Sequence, residues 1–208
     1  MKFNKFLLML LAASMLVPAA SATAIFSIEP ITLNPSAGSN NDILEVLLTN
    51  TGPSSISVAG FAFGVTSNNA GITFVSANMS TTTDPYIFAG NSFDAANSLP
   101  LNTSSGASLG GSDLTNDGSG VTVSSGESFA LGRVFYDVSG TANPGPANLT
   151  FTTSADSNGL TDPDFDAIPI GSLEGAQVDI QAAPVPEPSA LLLIPAGLLL
   201  LRFRKRSE

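Results

Sequence analysis

In 208 residues the chain has seven Lys and Arg, 17 Asp and Glu, and no Cys, His or Trp, which excludes Ser–His and Cys–His nucleophiles and ordinary nitrogen- or sulfur-ligated zinc. The bases sit at the tips (Lys2 and Lys5; Arg202, Arg204, Lys205 and Arg206), so the body from Ile25 to Ala183 carries 15 acids against Arg133 alone, a formal charge of −14. Such a surface offers no cations to replace the counterions of DNA or RNA, so nucleic-acid binding is excluded.

The chain opens with a basic start, an apolar run from Phe6 to Val17, and the small-residue triplets Ala20-Ser21-Ala22 and Ala22-Thr23-Ala24. This is the pattern of a secretory signal over residues 1–24, with cleavage expected at Ala22 or Ala24. As a helix the run rises only about 18 Å, short of a ~30 Å hydrocarbon core, so removal is expected rather than anchoring.

Residues 25–180 read as an all-β domain. Strand-like runs follow one another: FSIEPITL from Phe26, broken by Pro30; DILEVLLTN from Asp42; ISVAGFAFGVTS from Ile56, with a bulge expected at Gly60; ITFVSANM from Ile72; and YIFAG from Tyr86. VTV from Val121, FALGRVFYDV from Phe129, ANLTFTT from Ala147 and AQVDIQA from Ala176 complete the series. Turn signals such as Thr51-Gly52-Pro53, Asn116-Asp117-Gly118 and Asn143-Pro144-Gly145-Pro146 separate them. About nine short strands so punctuated predict a two-sheet antiparallel sandwich. The stretch from Asn91 to Gly120 is small, polar and aperiodic and reads as a long surface loop with room for a short strand. Most Phe residues fall in strand runs, where they are expected to pack in the core. Arg133 is expected to pair with a neighbouring carboxylate.

Little catalytic chemistry remains. Gly110-Gly111 precedes no helix pattern, which removes a phosphate loop. Paired carboxylates could serve a glycosidase, but the body has no Trp and only Tyr86 and Tyr136 to offer a sugar, so the protein reads as non-enzymatic. The run DSNGLTDPDFDAIP places Asp162, Asp164 and Asp166 at alternate positions, all hard oxygen ligands. Ala167 stands where an EF-hand loop needs Gly, and Leu173 where it needs its bidentate Glu. A solvated acidic turn is the expectation here, with a structural calcium site as the alternative.

Residues 181–185 form a linker, and residues 186–208 mirror the N-terminal signal. Val185, Pro186, Glu187, Pro188 and Ser189 lead into an apolar segment at 190–201, interrupted by Pro195 and Gly197 and followed by the basic stop Arg202, Arg204, Lys205 and Arg206. Positive charge at both tips orients both toward the cytoplasm, with the acidic body outside. The segment is short for a lasting transmembrane helix. The Pro-Glu-Pro triplet, apolar segment and Arg-rich end resemble the PEP-CTERM sorting signal of Gram-negative bacteria that make exopolysaccharide. The resemblance implies an exosortase-type processing enzyme, transient inner-membrane insertion, and release to the cell surface or extracellular matrix.

The body resembles cohesin-like and carbohydrate-binding-module-like sandwiches in VLLTNTGPSSISVAGFAFGV and GESFALGRVFYDVSGTANPGPANLTF. The expectation is an exported, non-enzymatic surface or matrix protein associated with exopolysaccharide or a matrix protein. The alternative is a cohesin-like module that binds a dockerin-like protein or a glycan, with calcium as a cofactor of that reading.

Overall fold

A computed structural model describes residues 23–93, 101–104, 106–153 and 158–183. The strands, in chain order, are β1 (Ala24–Pro30), β2 (Asp42–Asn50), β3 (Ile56–Val58), β4 (Gly60–Ser67), β5 (Ile72–Asn78), β6 (Leu101–Ser104), β7 (Ser108–Leu114), β8 (Val121–Val123), β9 (Ser128–Val138), β10 (Gly145–Phe151), β11 (Gly159–Thr161), β12 (Ile170–Glu174) and β13 (Ala176–Ile180). One sheet has the order β12-β1-β2-β9-β5 and the other β13-β10-β4-β7-β6, with β11 on the first half of β4 and β3-β8 a separate ribbon.

Alternation builds the core between the sheets. Phe26 and Ile28 of β1, Leu44, Val46 and Leu48 of β2, and Val134, Tyr136 and Val138 of β9 line one inner face. Phe61, Phe63 and Val65 of β4, with Ala147, Leu149 and Phe151 of β10, line the other. In β9 the pairing passes from Val46↔Gly132 to Leu47↔Ala130, which leaves Leu131 as an extra residue. That bulge lets Leu131 be buried beside Gly132 while Arg133 keeps its outward position; strict alternation back from Val134 would have turned Leu131 outward.

The sandwich closes where one strand changes sheets. β12 runs parallel to β1, and β13, one residue later, runs antiparallel to β10. Gly175 is the corner, and a Cβ there would meet the Leu149 carbonyl oxygen at 2.6 Å. Backbone cannot move aside as a flexible side chain would, so the corner requires glycine.

The two-sheet sandwich expected from the sequence is present, with four corrections. The sheets are not wholly antiparallel, because β1 and β12 pair in parallel. The run from Ile56 is two strands rather than one bulged strand: β3 pairs with β8, whereas β4 joins the second sheet. YIFAG is no strand; Tyr86 makes one parallel bridge to Ala130 and the chain then turns. The expected loop from Asn91 to Gly120 contains β6 and β7, and β7 lies inside the second sheet, paired with seven residues of β4.

Residues at both ends of the body are tied into the sandwich. Ala24 is fully buried and paired with both Asn50 and Ile170, and the Thr23 carbonyl accepts the Thr51 N–H. Gln181 donates its N–H to Pro35 and accepts that of Ala37. The signal segment before Thr23 and the apolar segment at 190–201 lie outside the described residues. Among the described residues no helix is long and apolar enough to cross a membrane.

The corner yields a direct test. Gly175→Ala is expected to lower stability by about 2 kcal/mol through overpacking against backbone. Gly159→Ala, where a Cβ meets nothing within 4 Å, serves as the control and is expected to change it little. Urea unfolding of both variants checks this, and equal stabilities would contradict the corner's role.

Candidate functional site

The outer face of the first sheet carries an ion pair beneath a loop. Glu45 of β2 lies opposite Arg133 of β9, and the Arg133 guanidinium reaches its Oε1 at 3.2 Å. The Glu45 side chain is wholly buried because residues 82 and 83 cross over it. The Thr82 amide and hydroxyl donate to Oε1, the latter at 2.9 Å, and the Thr83 amide donates to Oε2 at 3.0 Å. Burial works to raise the Glu45 carboxyl, but the hydrogen bonds from Thr82 and Thr83 outweigh it and hold it below its ordinary 4.5. The neighbouring carboxylate expected for Arg133 is therefore Glu45, an acid set between the apolar residues Leu44 and Val46.

From that anchor the chain from Met79 to Phe93 runs on to the second sheet. Ile87 donates its N–H to the Ala130 carbonyl, and Ala130 donates to that of Pro85. Tyr86 and Phe88 enter the core and meet the Phe61 ring at centroid distances of 6.3 Å and 5.5 Å. The Tyr86 hydroxyl donates to Asp113 of β7, whose other oxygen accepts the Leu114 N–H at 2.7 Å. The excursion thus joins a carboxylate of one sheet to a carboxylate of the other.

Several acids elsewhere act alike, as acceptors for loops and turns. Asp137 accepts the N–H of Asn41, which has φ of 59°, and Glu127 accepts that of Ser124. Hydrogen bonds from the Asn91 side chain, then from Ser119, hold Asp117 down to about 2.

Two cavities open on the described surface. One, of about 430 Å³, is polar and uncharged, framed by Asn68, Asn69, Ser139, Thr141 and Asn143. The other, of about 500 Å³, is apolar, walled by Phe61, Leu114, Leu160, Phe165 and Ile168. Asp113 alone among the carboxylates lines the second and none lines the first, so neither cavity presents two acids facing each other.

The residues singled out in the sequence fare unequally. Asp162, Asp164 and Asp166 share one loop, yet among the described residues no three acidic side chains gather to hold a metal ion. Asp162 Oδ1 instead accepts the backbone N–H groups of Asp164 and Asp166, both at 2.9 Å. That is turn chemistry, in which the carboxylate satisfies its own loop. Val185, Pro186, Glu187, Pro188, Ser189, Arg202, Arg204, Lys205, Arg206 and Ala22 lie outside the described residues. Phe residues of the strand runs, such as Phe26, Phe61, Phe63, Phe74 and Phe151, are buried as expected, whereas Phe165, outside those runs, is 76% exposed.

Solved structures supply the fold's relatives. A type I cohesin–dockerin complex from Clostridium thermocellum matches with a TM-score of 0.54 at 13% identity, over 78% of this chain and 96% of that one. The sixth cohesin of scaffoldin B from Acetivibrio cellulolyticus, in complex with a dockerin, matches at 0.51 and 13%, over 78% and 99%. The solution structure of CaCohA2 from Clostridium acetobutylicum matches at 0.51 and 16%, over 78% and 92%. The body has a cohesin-like fold. No family model matches the chain, and no curated protein matches it.

The Glu45 anchor predicts a pH dependence. A carboxyl held below its unfolded value contributes stability that is complete above about 4.5 and lost as pH falls below it. At neutral pH Glu45→Gln leaves Arg133 unpaired in a nearly closed site and is expected to cost about 3 kcal/mol. In urea titrations that gap should narrow as pH drops below the ordinary carboxylate range. A gap unchanged by acid would show that the ionised carboxylate is not what holds the loop.

Proposed function

We propose that this chain is an exported, non-enzymatic recognition module whose partner is a protein. The observation that carries the reading is coverage: the described body accounts for nearly the whole length of cohesin chains, several of them solved with bound dockerins. A sandwich that shares the cohesin fold over nearly the full length of those chains, with several carboxylates engaged as turn acceptors, supports binding rather than turnover.

The place of action is inferred from the termini. A secretory signal and a PEP-CTERM-like tail support passage through the inner membrane, exosortase-type processing and display at the cell surface or in the extracellular matrix. Cleavage after Ala22 suits the fold, since it leaves β1 whole; cleavage after Ala24 would remove a buried residue paired on both sides.

The test is capture from the producing cell's matrix on the immobilised full chain, with eluates analysed for both protein and polysaccharide. One protein retained in stoichiometric amount, and forming a one-to-one complex by light scattering, is the expected result. Retention of polysaccharide without a protein would favour the matrix-component reading instead.

A further inference from the structure

Phe165 stands at the rim of the apolar cavity with φ of 63° and 76% of its surface exposed. A phenylalanine in the left-handed region costs roughly 1–3 kcal/mol, and an exposed ring forgoes its burial energy, so both features run against stability. The loop nevertheless holds the residue in place. Asp162 accepts the N–H groups on either side of Phe165 through its side chain and that of Phe165 itself through its carbonyl. Pro163 packs over Gly120, where a Cβ would lie 2.8 Å from the proline ring. Strain held in place in this way clusters at active sites, ligand clamps and switch regions.

Around Phe165 the surface is apolar within and anionic at the edge. Buried Phe61 and Leu160 form the inner wall, and Leu114, 45% exposed, stands opposite the loop. Phe93, 65% exposed, adjoins Leu114 by donating its N–H to the Leu114 carbonyl. Asp164 and Asp166, the chain neighbours of Phe165, are both exposed. Arg133, the one base of the body, is held by Glu45 on the other sheet. Among the described residues a second copy would bring the same acids and no cation but the Arg133 already held by Glu45, which favours a different molecule as the complementary surface.

We propose that this cup is the docking site for a partner protein that inserts an apolar side chain flanked by Lys or Arg. The inference rests on the recognition-module reading and adds to it the place and the chemistry of contact. An aromatic anchor fixed before binding loses little entropy on complex formation, and the acidic rim draws a cationic partner into register.

Three short synthetic peptides of equal length, dye-labelled and titrated with the purified full chain, test the cup by fluorescence anisotropy. The first carries Leu and Phe flanked by Arg and Lys, the second has Ser for the apolar residues, and the third has Glu for the cations. Saturable one-to-one binding of the first alone is expected. Phe165→Ala should weaken it roughly tenfold, as for a buried aromatic anchor. Asp164→Asn combined with Asp166→Asn should remove most of its salt dependence. Exposed Val75 on β5 provides a control, and Val75→Ala should leave binding unchanged. Equal binding of the first two peptides, indifference to Phe165→Ala, or no saturable binding of the first would overturn the proposal. Matrix capture with both forms separates this site from the reading beneath it. A partner lost with Phe165→Ala supports both, and a partner retained equally by both forms overturns the cup alone. No protein retained by the wild type overturns the module reading and the cup with it.

Discussion

The buried carboxylate of Glu45 is the constraint on which the arrangement depends. It lies on the outer face of the first sheet, where an uncompensated charge would be costly, and it is compensated from two directions: by Arg133 across the strand pair and by Thr82 and Thr83 from above. Satisfying the acid therefore requires the chain after β5 to fold back over the sheet. Once it does, Tyr86 and Phe88 are delivered to the Phe61 ring, and the Tyr86 hydroxyl to Asp113. Asp113 orders β7 beside Leu114, and Leu114 is a wall of the apolar cup. A polar requirement on one sheet thus shapes the candidate binding surface on the other.

The same economy appears across the molecule. A body with 15 acids and one base cannot neutralise its carboxylates with cations. It satisfies several of them with N–H and O–H donors instead, at Asp113, Asp117, Glu127, Asp137 and Asp162. These bonds tie down loops and turns, so loop order and a strongly anionic surface occur together. For a recognition module this combination favours cationic partners and discourages self-association through like-charge repulsion.

Much of the fold was legible because most strands keep their alternation. β7 was not, for a physical reason: the inward positions of SLGGSDL are Leu109, Gly111 and Asp113. Gly111 leaves room for the Phe63 ring, which a Cβ would approach to 2.9 Å, and Asp113 is buried because Tyr86 and Ser92 donate to it. A strand whose core is completed by its neighbours shows no hydrophobic period of its own. The β12–β13 corner was hidden likewise, since Gly175 interrupts the run and the strand before it, IGSLE, has no fully buried residue to show a hydrophobic period. At the candidate site, the alternate acids of DPDFD suggested ligands, whereas the informative residue was the Phe between them. Its exposure follows from backbone conformation, which side-chain periodicity does not report.

The central claim, that Glu45 makes the segment from Met79 to Phe93 a fixed part of the sandwich, is tested most directly by amide hydrogen exchange. Thr82 and Thr83 are surface residues that would exchange fast in an untethered loop. The account predicts that at neutral pH their amides are protected to the degree of Ile87 and Ala130, whose bonds tie the segment to β9. It also predicts that Glu45→Gln releases Thr82 and Thr83 first. Rapid exchange of both amides in the wild type, with Ile87 and Ala130 still protected, would contradict it.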